Sequence, residues 1–303
     1  MSRIFEALRR SEEANVQVKA IPTPKNAVPR QEKPASAQNG DGVRQEEQHV
    51  SQNDRADFGF VEHVQCHPRP EDHLVAMNGS SGAAQERFRV LCHRIQQIRQ
   101  QRQLRHLLVT SAIPKEGKTV VAINLASLFA CSFPRVLLVD ADMRNPGISR
   151  ALGIPLLPGL AEFLEGKIDL MTAVRQVDPA GFYYVSSGRA GTNPAELLQK
   201  PALQEFVESV VSAFDWVIFD SPPLNLFADA QRLSQVCDAA LLVIREGVTP
   251  RDAPEQCMTA LEGRFIAGIV LNASNDPSEN YYTDYRGLKL PRGSSQMNLR
   301  SPD

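Results

Sequence analysis

Five short apolar runs, separated by segments with helical periodicity, constrain this sequence more than any other feature. The runs lie at residues 107–110, 136–139, 216–219, 240–244 and 266–271, and the clearest helical segments at 118–130, 201–213 and 252–262. Such runs are typical of strands buried on both faces, and strands that alternate with helices form mostly parallel sheets. We therefore predict one α/β domain over residues 84–274, with helices on both faces of the sheet.

The composition of the chain changes on either side of this domain. Residues 1–15 predict a short amphipathic helix, and residues 16–75 predict a flexible, disordered linker because they are rich in Pro, Gln, Asn and Asp. Residues 275–303 predict a flexible polar tail that contains three tyrosines. The linker also contains His63, Cys66, His67 and His73, but their spacing matches no common zinc pattern, so we favour scattered polar residues over a metal site.

Charge and hydropathy exclude several classes of protein. The net charge of the 303 residues is only −2, so nothing in the overall charge indicates a nucleic-acid partner. We expect no membrane span and no signal peptide, because no apolar window reaches the length that either requires. The five cysteines are widely scattered in apolar segments, which favours reduced, buried thiols over disulfides.

The segment "SAIPKEGKTVVAINLA", residues 111–126, lies between a predicted strand and a predicted helix. This is the context of a phosphate-binding loop, in which backbone N–H groups and the helix N-terminus converge on the phosphates. Gly117 would allow close backbone approach, Lys118 would reach the β- and γ-phosphates, and the Thr119 hydroxyl would bind Mg²⁺. We thus predict a P-loop NTPase-type fold whose nucleotide-contacting residues are Pro114, Lys115, Glu116, Gly117, Lys118, Thr119 and Val120.

Acidic residues end two further predicted strands. Asp140 and Asp142 lie in "VLLVDADMRNP", and Asp220 lies in "WVIFDSPP". Any one of these side chains taken alone is better explained as a cap of a helix or turn. All three follow strands in the order that a nucleotide site requires, however, and carboxylates are suitable ligands for magnesium.

These motifs resemble those of the bacterial tyrosine kinases that regulate capsule and exopolysaccharide synthesis. The resemblance covers residues 84–285 and rests on "VTSAIPKEGKTVVAINLA", "LLVDADMR" and "VIFDSPP", with support from "PGLAEFLEG", "NPAELL" and the tail tyrosines. The Asp-x-Asp-x-Arg spacing at 140–144 is its most specific element. The family tolerates a residue other than glycine at the position of Ala112, the first position of the loop motif.

The resemblance implies transfer of the γ-phosphoryl group of ATP to a tyrosine hydroxyl, with ATP and Mg²⁺ as cofactors. By the same resemblance Lys118 binds the phosphates, Thr119 and Asp142 bind magnesium, and Asp220 belongs to the magnesium shell. Asp140 is then the candidate that orients or deprotonates the tyrosine. The roles of Asp140 and Asp142 are exchangeable at this level, because spacing does not decide which carboxylate meets the metal.

The five tyrosines separate into two groups by position. Tyr183 and Tyr184 lie in an apolar segment, "GFYYVSSG", and are expected to pack in the core. Tyr281, Tyr282 and Tyr285 lie in the polar tail, where we expect them to be phosphoacceptors for the chain's own active site or that of a neighbouring copy.

The sequence departs from the family pattern at two places. Lys115 follows Pro114, where the family usually has glycine. Glu86 and Arg89 match a motif linked to ring-shaped self-association, but Cys92 stands where the second arginine of that motif is expected. A homo-oligomer is still expected, and the pair at 86 and 89 fits a solvated surface pair as well as an interface.

Partners and location also follow from the resemblance. Many family members are fused to a membrane-spanning chain-length regulator, so we expect a separate membrane protein of that kind as activator. The kinase would then be cytoplasmic and recruited to the inner face of the plasma membrane. The alternative function is an ATPase switch of the deviant-Walker class, similar to partitioning and septum-site proteins. It is disfavoured because Ile113 occupies the position of the signature lysine of that class.

Overall fold

The computed structural model describes residues 61–77, 82–156, 158–191 and 193–274, and their strands form one eight-stranded sheet. In chain order the strands are β1 (Glu62–Gln65), β2 (His106–Ser111), β3 (Val136–Asp140), β4 (Val174–Asp178), β5 (Tyr183–Val185), β6 (Trp216–Asp220), β7 (Ala239–Arg245) and β8 (Ile266–Asn272). Their order across the sheet is β1-β4-β5-β3-β6-β2-β7-β8. All neighbours are parallel except the antiparallel pair β4 and β5, so the predicted mostly parallel sheet is confirmed.

Helices connect most of these strands. In the described residues they are α1 (Ala83–Gln101), α2 (Lys118–Ala130), α3 (Ile148–Leu152), α4 (Leu160–Leu164), α5 (Leu170–Ala173), α6 (Pro194–Gln199), α7 (Pro201–Ala213), α8 (Ala228–Val236) and α9 (Ala253–Ala260). The helices predicted at 118–130 and 201–213 match α2 and α7. In the part of the chain that the structure describes, no helix has the length and apolarity needed to cross a membrane.

The sheet is covered on both faces, as the apolar runs predicted. Every residue of β2, β3 and β6 is buried. Successive residues of a strand face opposite sides, and Leu108 accordingly joins one hydrophobic core whereas Leu107 and Val109 join the other. Tyr183 and Tyr184 pack as predicted: Tyr184 is buried with its hydroxyl 3.0 Å from Ser149 Oγ, and the Tyr183 ring contacts the ring of Phe214.

The five cysteines are all free thiols, and four of them are buried as the sequence indicated. Cys131, directly after α2, is exposed. Burial raises the pKa of the Cys92 thiol to about 12, which makes this side chain a packing residue rather than a reactive one.

The predicted linker is wrong over its last residues, 61–75. Strand β1 pairs in parallel with β4 at the edge of the sheet, and Leu74 is fully buried. The Asn124 side chain on α2 accepts the backbone N–H of Ala76 at 2.9 Å and donates to the His73 carbonyl oxygen at 3.2 Å. Composition missed this segment because the side chains of β1 are mostly exposed, and its strand hydrogen bonds come from the backbone of β4. The predicted helix at 1–15, residues 16–60 of the linker and the tail at 275–303 lie outside the described residues.

Candidate active site

The loop between β2 and α2 has the shape of a phosphate cradle. Gly117 has a φ of +93° and Lys115 a φ of +67°, both in the left-handed region. A β-carbon on Gly117 would lie 2.0 Å from Asn272 Nδ2, so only glycine fits this position. Left-handed residues within a short loop turn successive backbone N–H groups toward one concave side, which is how backbone anion sites are built.

The ends of β7 and β8 hold this loop from one side. Asn272 Nδ2 donates to the Glu116 carbonyl oxygen at 2.9 Å, and Arg245 Nη1 donates to the Lys115 carbonyl oxygen at 3.2 Å. The fully buried Glu116 carboxylate accepts the Ile113 backbone N–H at 2.7 Å and also accepts the Thr249 hydroxyl. The Glu116 side chain therefore stabilises the loop internally.

Lys118 and Thr119 are the first two residues of α2, and both side chains contact the predicted carboxylates. Lys118 Nζ lies 3.0 Å from Asp142 Oδ2. Thr119 Oγ1 donates to Asp220 Oδ2 at 2.7 Å. Val120, one residue further along, packs against the core. Pro114 and Lys115 are exposed at the rim of the loop.

The three aspartates meet because β3 and β6 are neighbours with Asp140 directly opposite Asp220. Asp140 accepts the backbone N–H groups of Asp142 and Ile148, each at 3.2 Å. Asp142 accepts the backbone N–H of Asn145 at 3.0 Å, which fixes the turn that follows β3. The structure thus brings Lys118, Thr119 and all three predicted carboxylates together, and all three carboxylates are buried.

The electrostatics of this cluster are those of an anionic site. Burial raises the pKa of Asp220 to about 6, against the opposing attraction of Lys118. Burial and the nearby Asp220 raise the pKa of Asp140 well above its ordinary value. For Lys118 burial works to lower the pKa, but the attraction of Asp220 and Asp142 outweighs it and the pKa is raised. Three carboxylates around one ammonium group leave an excess of negative charge, which a divalent cation would offset.

The cluster offers a magnesium ion one unpaired carboxylate oxygen. Asp220 Oδ1 is buried and has no hydrogen-bond partner, although buried polar atoms are normally satisfied. The other oxygen of the same carboxylate, Oδ2, accepts a hydrogen bond from the Thr119 hydroxyl. Magnesium prefers oxygen ligands and usually keeps several waters and substrate phosphates in its shell, so few protein ligands are needed.

Arg144, the arginine of the Asp-x-Asp-x-Arg motif, connects the turn after β3 to two other elements. Its Nε donates to Asp229 Oδ2 at 2.6 Å and its Nη2 to Asp229 Oδ1 at 3.3 Å, a bidentate pair with the buried first turn of α8. Its Nη2 also donates to Asn193 Oδ1 at 3.3 Å, and the guanidinium lies 4.7 Å from the centre of the Phe227 ring.

The sequence analysis missed four residues that contact the site directly but lie far from it along the chain: Asp229, Arg245, Thr249 and Asn272. An asparagine that ends the run "GIVLN" is the one sequence feature that marks such a contact. The other three are ordinary polar residues whose partners lie 85 to 133 positions away in the chain. Only the tertiary packing brings Arg245 and Thr249 to the phosphate loop, and Asp229 to Arg144 in the turn after β3.

Two other motifs of the resemblance contribute residues to α4 and α1. Glu162 of "PGLAEFLEG" accepts the backbone N–H groups of Gly159 at 2.8 Å and Arg189 at 2.9 Å, which ties α4 to the loop before "NPAELL". Glu86 and Arg89 form an exposed ion pair at 3.3 Å on α1. The tail tyrosines lie outside the described residues.

Comparison with known proteins gives several strong matches. The chain is 35% identical over 223 residues to tyrosine-protein kinase YwqD of Bacillus subtilis, which covers 73% of this chain and 94% of that protein. It is 35% identical over 205 residues to tyrosine-protein kinase CpsD of Streptococcus pneumoniae, which covers 66% of this chain and 88% of that protein. No family model matches the chain.

A solved structure agrees with these relatives. The kinase domain of the Escherichia coli tyrosine kinase ETK superposes with a TM-score of 0.63 at 30% identity, over 66% of this chain and 79% of that one. The fold described above is therefore shared with a kinase domain of known structure.

Proposed function

The chain belongs to the bacterial tyrosine kinase family, and from that membership we propose that it is an ATP-dependent protein-tyrosine autokinase that acts in exopolysaccharide or capsule synthesis. The proposed acceptors are Tyr281, Tyr282 and Tyr285, on the same chain or on a neighbouring copy. The observation that carries the proposal is the convergence of Lys118 and three carboxylates at the carboxyl ends of adjacent strands.

In this proposal each residue of the site has its own role in phosphoryl transfer. Lys118 binds the β- and γ-phosphates. Its ammonium group pairs with Asp142 in this structure, and when ATP binds it interacts with the phosphates as well. Thr119 and Asp142 hold magnesium, and Asp220 belongs to the same shell. Magnesium, when bound, neutralises negative charge on the transferring phosphoryl oxygens. The phosphates must also be held in the correct position for transfer, and the backbone of the phosphate loop does this.

Asp140 is proposed to orient the tyrosine hydroxyl and accept its proton. Its position supports this role, because it lies at the end of β3 beside the loop that carries Asp142, and directly opposite Asp220. The backbone N–H groups of Asp142 and Ile148 hold the carboxylate in one orientation. Asp142 instead pairs with Lys118, the residue proposed to bind the phosphates, and this position supports its assignment to the magnesium ion that accompanies them.

The activator is proposed to be a separate membrane-spanning chain-length regulator that recruits this cytoplasmic kinase to the inner face of the plasma membrane. This part of the proposal follows from the family to which the chain belongs. A homo-oligomer is proposed on the same ground, because acceptors on a neighbouring copy require contact between copies.

The proposal is tested by mass spectrometry of the full chain expressed in a heterologous host. We expect phosphotyrosine at the three tail positions in the wild type and none in Lys118→Met, because the β- and γ-phosphates then lose their cation. Lys200→Met, which removes an exposed lysine, is the matched control and should be phosphorylated as the wild type is. ATP hydrolysis without any phosphotyrosine would instead support the ATPase switch.

A further inference from the structure

Lys115 adopts a backbone conformation that a lysine does not favour. Its φ of +67° lies in the left-handed region, where a β-carbon crowds the backbone and glycine is the usual occupant. A lysine at this position needs support from surrounding structure, because left alone it would relax toward negative φ. Relaxation at Lys115 would displace the backbone immediately before Gly117 and Lys118, where N–H groups must converge on the phosphates.

Arg245 supplies a contact at this point. Its Nη1 donates to the Lys115 carbonyl oxygen at 3.2 Å. The arginine is the last residue of β7, a strand that pairs with β2 on one side and β8 on the other. Its own backbone N–H donates to Thr249 Oγ1 at 3.0 Å, so its main chain is fixed even though its side chain crosses an exposed surface.

We infer that Arg245 is a positioning residue for ATP binding, which holds Lys115 in the left-handed conformation and thereby keeps the phosphate loop in its anion-binding shape. The inference deepens the proposed function, since it rests on the same nucleotide site. The Glu116 carboxylate braces the loop before Lys115, at the Ile113 N–H, and Asn272 braces it after Lys115, at the Glu116 carbonyl oxygen. Arg245 acts between them, at the residue with the unfavourable φ. A glycine at 115 would adopt this φ unaided and would make the arginine largely dispensable.

Two other roles for Arg245 make different predictions. If its positive charge acted directly on the phosphates, its removal would weaken ATP binding equally whether residue 115 is lysine or glycine. If it served only to stabilise the fold, its removal would lower the melting temperature and leave the affinity of the folded protein unchanged. Coupling between positions 115 and 245 in ATP affinity distinguishes the positioning role from both.

The test is a double-mutant cycle on the full chain with Lys115→Gly, Arg245→Met and the combined variant. The dissociation constant of a fluorescent methylanthraniloyl derivative of ATP is measured with magnesium, and the melting temperature of each variant is recorded. In the lysine background Arg245→Met should raise the dissociation constant about fivefold, the worth of one hydrogen bond. In the glycine background the same substitution should raise it less than about twofold.

The matched control is Arg251→Met, which removes one exposed positive charge from the same loop after β7 and should leave the dissociation constant unchanged. In autophosphorylation assays Arg245→Met should raise the KM for ATP and leave kcat nearly constant, because the loop acts on binding. Equal weakening in both backgrounds, or none in either, would overturn the inference while the wild type still binds ATP. A wild type that fails to bind the ATP derivative would instead reject the proposed function and the inference together.

Discussion

At the residue scale, the candidate site combines groups that are unfavourable for folding but suited to binding. Asp140, Asp142 and Asp220 are buried around a single ammonium group, that of Lys118. Burial and mutual repulsion raise the pKa of two of these carboxylates, so their ionisation opposes folding. Proteins keep such clusters where function requires them, because a bound cation and nucleotide relieve the repulsion.

Another buried ionisable residue, His106, lies at the opposite end of β2 and gives a pH-dependent prediction. Burial lowers the pKa of its imidazole, and the positive charge of Arg105 acts in the same direction, whereas Asp238, whose Oδ2 lies 3.5 Å from Nδ1, acts to raise it. A histidine whose pKa is lowered in the folded state does not reduce the free energy of unfolding at a pH above its unfolded pKa, which is near 6.5. Below that pH the unfolded chain binds the proton more readily, so stability falls as the pH decreases.

We therefore expect His106→Leu to flatten the loss of stability between about pH 7 and pH 5. Both ring nitrogens of His106 are buried without a hydrogen-bond partner in the described part of the chain, so leucine sacrifices no hydrogen bond of the ring. Melting temperatures over this pH range are the measurement. His93→Leu, at an exposed histidine, is the control and should follow the wild type. Parallel curves for wild type and His106→Leu would contradict the expectation.

At the element scale, β1 shows that a short polar strand becomes part of the fold when a sheet edge is available to it. Arg175 on β4 is buried, and its Nε donates to Glu62 Oε2 on β1 at 3.1 Å. On the same strand, His63 Nδ1 lies 2.8 Å from Asp178 Oδ2. These contacts, together with the buried Leu74, attach residues 61–76 to the domain.

Two deletions test the contribution of this segment. Removing residues 1–60 should leave the melting temperature nearly unchanged, because every contact described above is retained. Removing residues 1–75 deletes β1 and the fully buried Leu74. A buried leucine alone is worth about 2–5 kcal/mol, so the melting temperature should fall by roughly 5 °C or more. Differential scanning calorimetry of both proteins is the measurement, and identical melting temperatures would show that the segment does not stabilise the domain.

At the scale of the whole molecule, the order of strands decides where the site lies. The strands that carry the phosphate loop, the aspartates and the bracing residues occupy five adjacent positions, β3-β6-β2-β7-β8, and all run parallel. Their carboxyl ends therefore meet at one edge, which is the usual position of ligand sites in such sheets. Because Asn272 ends β8 and contacts the loop, the last described strand finishes beside the site.

The tail tyrosines give a prediction for the assembled protein. Each phosphate adds about −1.5 to −2 charge at pH 7, in a segment that already contains Glu279 and Asp284. A phosphorylated tail should be repelled by the anionic site of a neighbouring copy once magnesium and ATP have left, so self-association should loosen.

Light scattering of the wild type before and after incubation with ATP and magnesium is the measurement. The wild type should shift toward smaller species. A variant in which Tyr281, Tyr282 and Tyr285 are all replaced by Phe is the control and should remain associated. If both proteins behave alike while phosphotyrosine is present in the wild type, charge in the tail does not control assembly.

The sequence alone determined the mostly parallel sheet and the residues that converge on the nucleotide site. Buried parallel strands require continuous apolar runs, and a phosphate loop requires Gly117, Lys118 and Thr119 in consecutive positions, so both features are local. The acidic residues Asp140 and Asp220 were recognisable for the same reason, because each directly ends such a run.

Only the tertiary structure decided what lies around those residues. Arg144 with Asp229, and Arg245 with Lys115, pair across 85 and 130 positions of sequence, and nothing in the local pattern specifies either partner. Strand β1 was hidden in the same way, because its pairing partner β4 follows more than 100 residues later and its own side chains are mostly exposed. Local periodicity records which face of an element is buried, whereas sheet order, which brings distant strand ends together, depends on how all the elements pack at once.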